Sequence, residues 1–295
     1  MLPTAAAIVE KLPRFLRRHR LMTTWMKLTG EPTLQLVRIR DDAFGYAEMG
    51  DAFLRLIVID QGFEKDFFSI ADKLFAEGGT LLDVGANHGL LSFGLAGRHG
   101  AGIDFHLFEP NASLVHSIEK TKVLYPAMRL TLNEAAVSDT PGSVSFEIDV
   151  DQSGASHISS NKNGVQVRCV TIDEYIERTG IASVELVKLD VEGYELPALR
   201  GAAHALKARV VRAVYFEYFE KWLQRVAPPS ELLEFLDASG FEVCFCRLGD
   251  LEARGGPTHV FAGKGIPLLP VTGHALPPMT DLIAIPKEYL ELAGR

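Results

Sequence analysis

Residues 80–100, TLLDVGANHGLLSFGLAGRHG, constrain this chain more than any other stretch. A short apolar run ends in Asp83-Val84-Gly85-Ala86-Asn87-His88-Gly89, and a segment of helical period begins at once. The backbone has to turn sharply between the two. Gly85 and Gly89 permit that turn and let a ligand approach the main chain, while the new helix presents unpaired N–H groups at its start. Twenty residues beyond Gly89, a second apolar run ends at Glu109 in HLFEPN. An acid at that point of a doubly wound sheet accepts hydrogen bonds from ribose hydroxyls, so the pair of features predicts a nucleoside ligand.

The glycine pattern separates the ligand classes that share this geometry. A dinucleotide pyrophosphate asks for G-x-G-x-x-G, whereas this chain reads G-x-N-x-G and places Asp83 at the strand's tip, where it would repel phosphate. The same acid suits the ammonium group of S-adenosylmethionine, held directly or through water. S-adenosylmethionine is therefore the expected cofactor. NAD(P) and a purely structural turn are the other readings.

The order of elements agrees with an α/β fold. From residue 80 onward, apolar runs alternate with helical segments, which predicts a mostly parallel sheet. Core strands are expected at 80–85, 104–109, 129–137, 183–191 and 210–218, with helices near 90–99, 112–123 and 193–207. Phe67, Phe68, Ile70, Leu74 and Phe75 predict a helix leading into the first strand, and 241–248 with 258–263 predict a closing antiparallel hairpin around RLGDLEARGGP. An excursion at 138–182 holds two further β-like runs, 143–150 and 165–172, around the polar loop DQSGASHISSNKNG. Long loops of this kind are often functional, so the excursion reads as a flap or as a surface insertion.

Composition closes off several classes. Of the 295 residues 47% are hydrophobic, which excludes disorder as the main state, and no apolar run approaches the roughly 18 residues of a membrane span. A net charge of −8 disfavours a nucleic acid as obligatory partner. Three cysteines, Cys169, Cys244 and Cys246, lack metal-ligand spacing, and with no leader-like stretch they fit a reducing cytoplasm. Cys244 and Cys246 lie two apart in a strand and are expected to be buried on one face. Residues 8–27 interleave Lys11, Arg14, Arg17, Arg18, Arg20 and Lys27 with Ile8, Leu12, Phe15, Leu16, Leu21 and Met22. That pattern predicts a basic amphipathic helix, packed on the domain, at a homodimer contact, or peripherally on an anionic membrane.

The set LLDVGANHG, FEPN, NEAAVSD, VRCVTIDEYI, VELVKLDVEGYELPALRGA and DLIAIPKEYL resembles the FkbM-type S-adenosylmethionine-dependent methyltransferases, in order across about residues 60–290. The resemblance implies a class I methyltransferase (Rossmann-like) fold, a doubly wound seven-stranded sheet in order 3-2-1-4-5-7-6, and methyl transfer to a hydroxyl of a sugar, glycan or natural-product acceptor. Residues 1–60 lie outside it and read as an N-terminal basic, helical segment; 61–290 read as the methyltransferase domain.

Ligands of such sheets bind at the carboxyl ends of the strands, so Lys188, Asp190 and Glu192, two apart in KLDVEGYE, are the catalytic candidates. Their competing roles are ion pairing for Lys188, a helix N-cap for Asp190 and a dipole-favoured first-turn acid for Glu192. Gly193 allows a bend that would swing Glu192 away from the other two. His157 in the flap is a candidate general base, or a solvated loop residue. Asp83, Gly85, Asn87, His88, Gly89 and Glu109 are the expected cofactor-binding set, with Glu134 and Ala135 beside adenine, since the third strand's end flanks the base in this fold. No metal is the first expectation; Asp190 with Glu217 is the alternative, a pair able to hold a divalent cation that lowers a hydroxyl's pKa. Tyr215, Phe216, Tyr218, Phe219 and Trp222 read as core and substrate wall. Two rival functions remain: a non-catalytic S-adenosylmethionine-binding partner in a biosynthetic complex, and an NAD-linked oxidoreductase.

Overall fold

The computed structural model describes residues 28, 34–40, 43–51, 64–159 and 164–293. The basic stretch 8–27 lies outside the described residues. An antiparallel hairpin comes first, β1 (Leu34–Arg40) and β2 (Ala43–Glu48). Val37, Ile39, Ala43 and Ala47 of this hairpin join the same apolar core as Phe68, Leu90 and Phe93. Residues 34–48 are thus neither helical nor separate from the following domain, contrary to the expected helical segment, because alternate apolar side chains of both strands reach the core.

Helix α1 (Lys65–Leu74) buries Phe67, Phe68, Ile70, Ala71 and Leu74 as one stripe, the large ones contributing roughly 1.5–3 kcal/mol each. Then β3 (Gly79–Val84), α2 (Leu90–His99), β4 (Ile103–Phe108), α3 (Ala112–Lys122) and β5 (Arg129–Asn133) alternate as a parallel unit. Asn111 caps α3 by accepting from the Ser113 N–H at 3.0 Å. The excursion forms its own sheet of β6 (Ala136–Val137), β7 (Gly142–Glu147), β8 (His157–Ile158) and β9 (Val165–Val170), in order β6-β9-β7-β8. Helix α4 (Ile172–Thr179) starts at Thr171, whose hydroxyl accepts from the Glu174 N–H.

The chain returns to the main sheet with β10 (Leu186–Leu189), followed by α5 (Glu195–Arg200) and α6 (Ala203–Lys207), β11 (Val214–Phe219), α7 (Glu220–Leu223) and α8 (Pro229–Ala238), then β12 (Phe241–Phe245), α9 (Leu248–Ala253), β13 (His259–Phe261), β14 (Ile266–Pro270), β15 (Met279–Pro286) and β16 (Leu290–Leu292). Among the described residues the main sheet has ten strands, not the expected seven, in order β16-β13-β14-β12-β15-β11-β10-β3-β4-β5. Within it, β5-β4-β3-β10-β11-β15-β12 reproduces 3-2-1-4-5-7-6, with β15 antiparallel to both neighbours. The closing hairpin is wired differently from the expectation. Residues 241–245 pair with 279–286 and, more briefly, with 266–270, while 259–261 pair with 266–270 and 290–292. The connector forms α9 instead, and β15, apolar from Leu282 to Ile285, fills the buried central position.

Two apolar clusters cover the two faces of the sheet. Cys244 and Cys246 are free, buried and in one cluster, as their spacing predicts. No helix among the described residues is long and apolar enough to cross a membrane.

Candidate active site

Strand order reverses between β3 and β10, and left-handed backbone turns follow the carboxyl ends of both strands. Gly85 has φ 76°, and a Cβ placed there would stand 1.8 Å from the Asp190 carbonyl oxygen. Only glycine lets the two strand ends approach so closely. Asn87 (φ 53°) and Gly89 (φ 69°) complete the turn into α2.

Beneath the turn, Asp83 is 1% exposed. One carboxylate oxygen accepts from the Ser92 hydroxyl at 2.7 Å, and the other lies 3.6 Å from Lys188 Nζ. Asp83 lines neither of the cavities described below. Lys188 Nζ donates to the Gly85 carbonyl at 2.9 Å and sits 3.4 Å from Asp190. Burial opposes its charge, yet Asp190 and Asp83 together hold its pKa above the ordinary lysine value. Lys188 thus ties the cofactor loop to the tip of β10.

Glu109 is 5% exposed. Its two oxygens accept from the N–H groups of Asn87 (2.8 Å) and Asn111 (2.9 Å). Burial pushes its pKa up to about 7, against the pull of those two donors. Glu109 borders a narrow slot of about 60 Å³, walled by Val84, Phe108, Ala135, Val137, Phe146 and Ile158. Ala135 is part of that wall, whereas Glu134 is exposed and is not.

A larger cavity of about 560 Å³ opens beside the slot. Gly85, Asn87, Gly154, Asp190 and Glu192 line both. His88 lines the larger one at 2% exposure with neither ring nitrogen hydrogen-bonded among the described residues, and burial lowers its pKa to about 4. The flap contributes Gln152, Gly154 and Ala155, and Asn87 bonds Ser153 through its side chain. His157 lines neither cavity. It contacts the Ala155 carbonyl through Nδ1 and packs edge-on against Trp222 at 5.0 Å.

The far wall comes from β11 and β15. Tyr215, Glu217 and Phe219 alternate onto one face of β11, and antiparallel register sets Asp281 opposite Glu217. Phe216 and Tyr218 point the other way, into the core. Trp222 adds an aromatic wall and is itself covered by the Arg225 guanidinium at 3.4 Å. Glu192 (φ 52°) and Gly193 (φ 98°) make the bend after β10, yet this bend keeps Glu192 with Asp190 and Glu217 rather than swinging it away. Burial, then the neighbouring carboxylates, raise the pKa of Glu192 to about 9 and of Glu217 to about 8.

Several participants have no signal in the local sequence. Glu195, rather than Asp190, caps the bend: its carboxylate accepts from the Val191 N–H at 3.0 Å and the Gly193 N–H at 3.4 Å. Glu64, Asp281 and Arg247 also line the cavity. Asp281 opens the DLIAIP run, and only its pairing with β11 reveals its place.

The sequence pattern described as "Methyltransferase FkbM domain" matches residues 83–243, from the Asp83 turn to β12. The chain belongs to the FkbM methyltransferase family. A hexuronic acid methyltransferase, AglP of Haloferax volcanii, is 26% identical over 145 residues, covering 49% of this FkbM-family chain and 59% of AglP. The chain thus matches less than two thirds of that relative's length. Among solved structures, TYW2 of M. jannaschii, in complex with AdoMet, has a TM-score of 0.40 at 9% identity, covering 86% of this chain and 85% of that one. The Geobacter metallireducens precorrin-6y C5,15-methyltransferase has a TM-score of 0.36 at 13% identity, covering 73% and 85%.

Residues present at the switch point fit S-adenosylmethionine. The slot is apolar on its faces, as a purine requires, and carries the buried Glu109 carboxylate, an acceptor of the kind ribose hydroxyls need. The glycine cradle admits a ligand against the main chain, and the orphaned imidazole of His88 awaits a polar partner in the adjoining cavity.

Proposed function

We propose that this chain transfers the methyl group of S-adenosylmethionine to a hydroxyl oxygen of a sugar, glycan or natural-product acceptor. The observation that carries the reading is that Asp190 and Glu192 line both the nucleoside slot and the larger cavity. They stand where a cofactor's reactive end and an acceptor would meet. When bound, S-adenosylmethionine supplies an electrophilic methyl carbon on a sulfonium. An acceptor oxygen lone pair forms the new C–O bond as the C–S bond breaks, and the electron pair stays on sulfur.

In this reading the chain's own residues position and deprotonate. Glu109 accepts the ribose hydroxyls, Gly85 and Asn87 shape the approach, and Ala135 flanks the base. Asp83 acts through Lys188, which in turn orients Asp190. Asp190 and Glu192 align the acceptor hydroxyl, Glu192 as a protonated carboxyl that donates to it, and Asp190 takes up its proton. Phe219 and Trp222 offer flat apolar faces for a sugar ring beside carboxylates that accept its hydroxyls. At about 60 Å³ the slot is well below the roughly 300 Å³ typical of small ligand sites.

The AglP name supports a sugar acceptor, and the net charge of −8 favours such a ligand over a nucleic acid. Incubation of the protein with radiolabelled S-adenosylmethionine and a cell extract tests the reading. Alkali-resistant label in the carbohydrate or small-molecule fraction is expected. Label confined to protein or nucleic acid, or released by alkali as from a methyl ester, would sink it.

A further inference from the structure

We propose that His88 binds the acceptor rather than the cofactor, hydrogen-bonding a hydroxyl other than the one that is methylated, which makes the acceptor a polyhydroxyl compound; this deepens the methyltransferase reading and rests on it. Asn87 and His88 form the corner of a turn that the Gly89 N–H closes on the Ala86 carbonyl at 2.8 Å. A side chain at such a corner ordinarily faces water. His88 instead is 2% exposed and lines the larger cavity, and among the described residues neither ring nitrogen has a hydrogen-bond partner. A buried hydrogen-bonding group without a partner is costly, and this ring carries two.

Placement points to the acceptor side. Gly85 and Asn87 border both spaces, whereas His88 borders only the larger one. Ala86, Leu90 and Leu91, its near neighbours in sequence, give that wall apolar surface. The Gly85 main chain packs on the Asp190 carbonyl, and His88 follows three residues later, so the chain between them spans at most about 11 Å, and less through a closed turn. One sugar-sized ring can therefore present one hydroxyl to Asp190 and another to His88.

Charge narrows the ligand further. Burial lowers the pKa of His88 to about 4, and Asp51, the charge that acts on it, pulls the other way without restoring it. The ring is thus neutral near pH 7, with one N–H to donate and one lone pair to accept. Asp51 also accepts from the flap's Ser153 N–H at 3.0 Å, and the Ser153 hydroxyl bonds the Asn87 side chain, so flap, turn and Asp51 are held together. A carboxylate or phosphate beside His88 would meet the charge of Asp51 with no positive ring to offset it. A hydroxyl, donor and acceptor at once, matches a neutral imidazole and carries no such penalty.

Two variants of the full chain test this: His88→Leu, which removes the hydrogen-bonding atoms, and His88→Gln, which keeps a neutral donor and acceptor. Each is measured by thermal melting, by calorimetry with S-adenosylhomocysteine, and by label transfer from radiolabelled S-adenosylmethionine into the carbohydrate and small-molecule fraction of dilute cell extract. His88→Leu is expected to melt no lower than wild type, because a partnerless buried polar group is gone, and to bind S-adenosylhomocysteine within about threefold of wild type, yet to transfer label at least about fivefold more slowly. His88→Gln should recover most of that loss. Should His88→Leu not fold, His88→Met takes its place. Transfer equal to wild type, a fall in S-adenosylhomocysteine affinity in step with the fall in transfer, or the same loss in His88→Gln as in His88→Leu would overturn the proposal. A wild-type chain that neither binds S-adenosylhomocysteine nor labels any fraction fails the methyltransferase reading itself, whereas labelling by wild type and His88→Leu alike removes only the role of His88.

Discussion

The two halves of the site are built on different principles. On the slot side, apolar side chains wall a cleft whose shape is set by the backbone turn at Gly85–Gly89, and Glu109 has both oxygens occupied by backbone N–H groups. On the larger side, six carboxylates, Glu64, Asp66, Asp190, Glu192, Glu217 and Asp281, converge onto aromatic walls. Among the described residues Glu192 and Glu217 form no ion pair, and Lys188 acts on them only at longer range. A surface set by backbone geometry accepts one ligand shape and tolerates little change, whereas a surface set by side chains can be retuned by substitution. The contrast fits a fixed cofactor on one side and a variable acceptor on the other.

The largest expected effect strikes the backbone half. Gly85→Ala places a methyl group against the Asp190 carbonyl at positive φ. It should cost about 3 kcal/mol of stability or more and weaken S-adenosylhomocysteine binding about 100-fold, read by thermal melting and calorimetry. Binding within a few fold of wild type would break the claim that the main chain forms this half.

Asp190→Asn probes the junction. Turnover is expected to fall about 100-fold while the dissociation constant for S-adenosylhomocysteine stays within about threefold. Equal losses in both would assign Asp190 to cofactor binding alone.

Glu109 gives the pH test. Its pKa is raised to about 7 in the folded chain, and in the proposed reading it is the ionised form that accepts ribose hydroxyls. Affinity for S-adenosylhomocysteine should therefore rise as pH goes from about 6 to about 8, by at most about tenfold per unit, and level off above. The same raised value means that the folded chain holds a proton which the unfolded chain releases near pH 4.5, so Glu109's contribution to stability falls as pH rises from there toward 7. Glu109→Gln should bind more weakly at pH 8 and show a flat pH profile. The smallest effect is expected at His157, which lines neither cavity: His157→Ala should leave turnover within about threefold, and a loss near that of Asp190→Asn would make it a participant after all.

What was readable in the sequence divides along the same line. Turns forced by Gly85 and Gly89, the strands around them and the Thr171 cap are local, since a few neighbouring residues dictate their backbone angles. Lys188, Asp190 and Glu217 were also visible, each at the carboxyl end of an apolar run. Pairings across long sequence distances were not. Nothing in FEVCFCRL specifies β15 rather than β13 as its neighbour, and Asp281 reaches Glu217 only through that antiparallel register. Glu195 was hidden for a different reason: a glutamate at a helix start is ordinary, and its capping of the Glu192–Gly193 bend depends on left-handed backbone at a non-glycine residue. Likewise, the alternation in 34–48 belongs to a hairpin whose burial is supplied by α2 and α3 far along the chain.

The central claim is that the switch point between β3 and β10 binds S-adenosylmethionine. Calorimetric titration of the wild-type chain with S-adenosylhomocysteine, and separately with NADH, tests it most directly. One molar equivalent of S-adenosylhomocysteine bound, no heat from NADH and loss of the signal in Gly85→Ala is the predicted result. NADH bound tightly with no S-adenosylhomocysteine binding would contradict it.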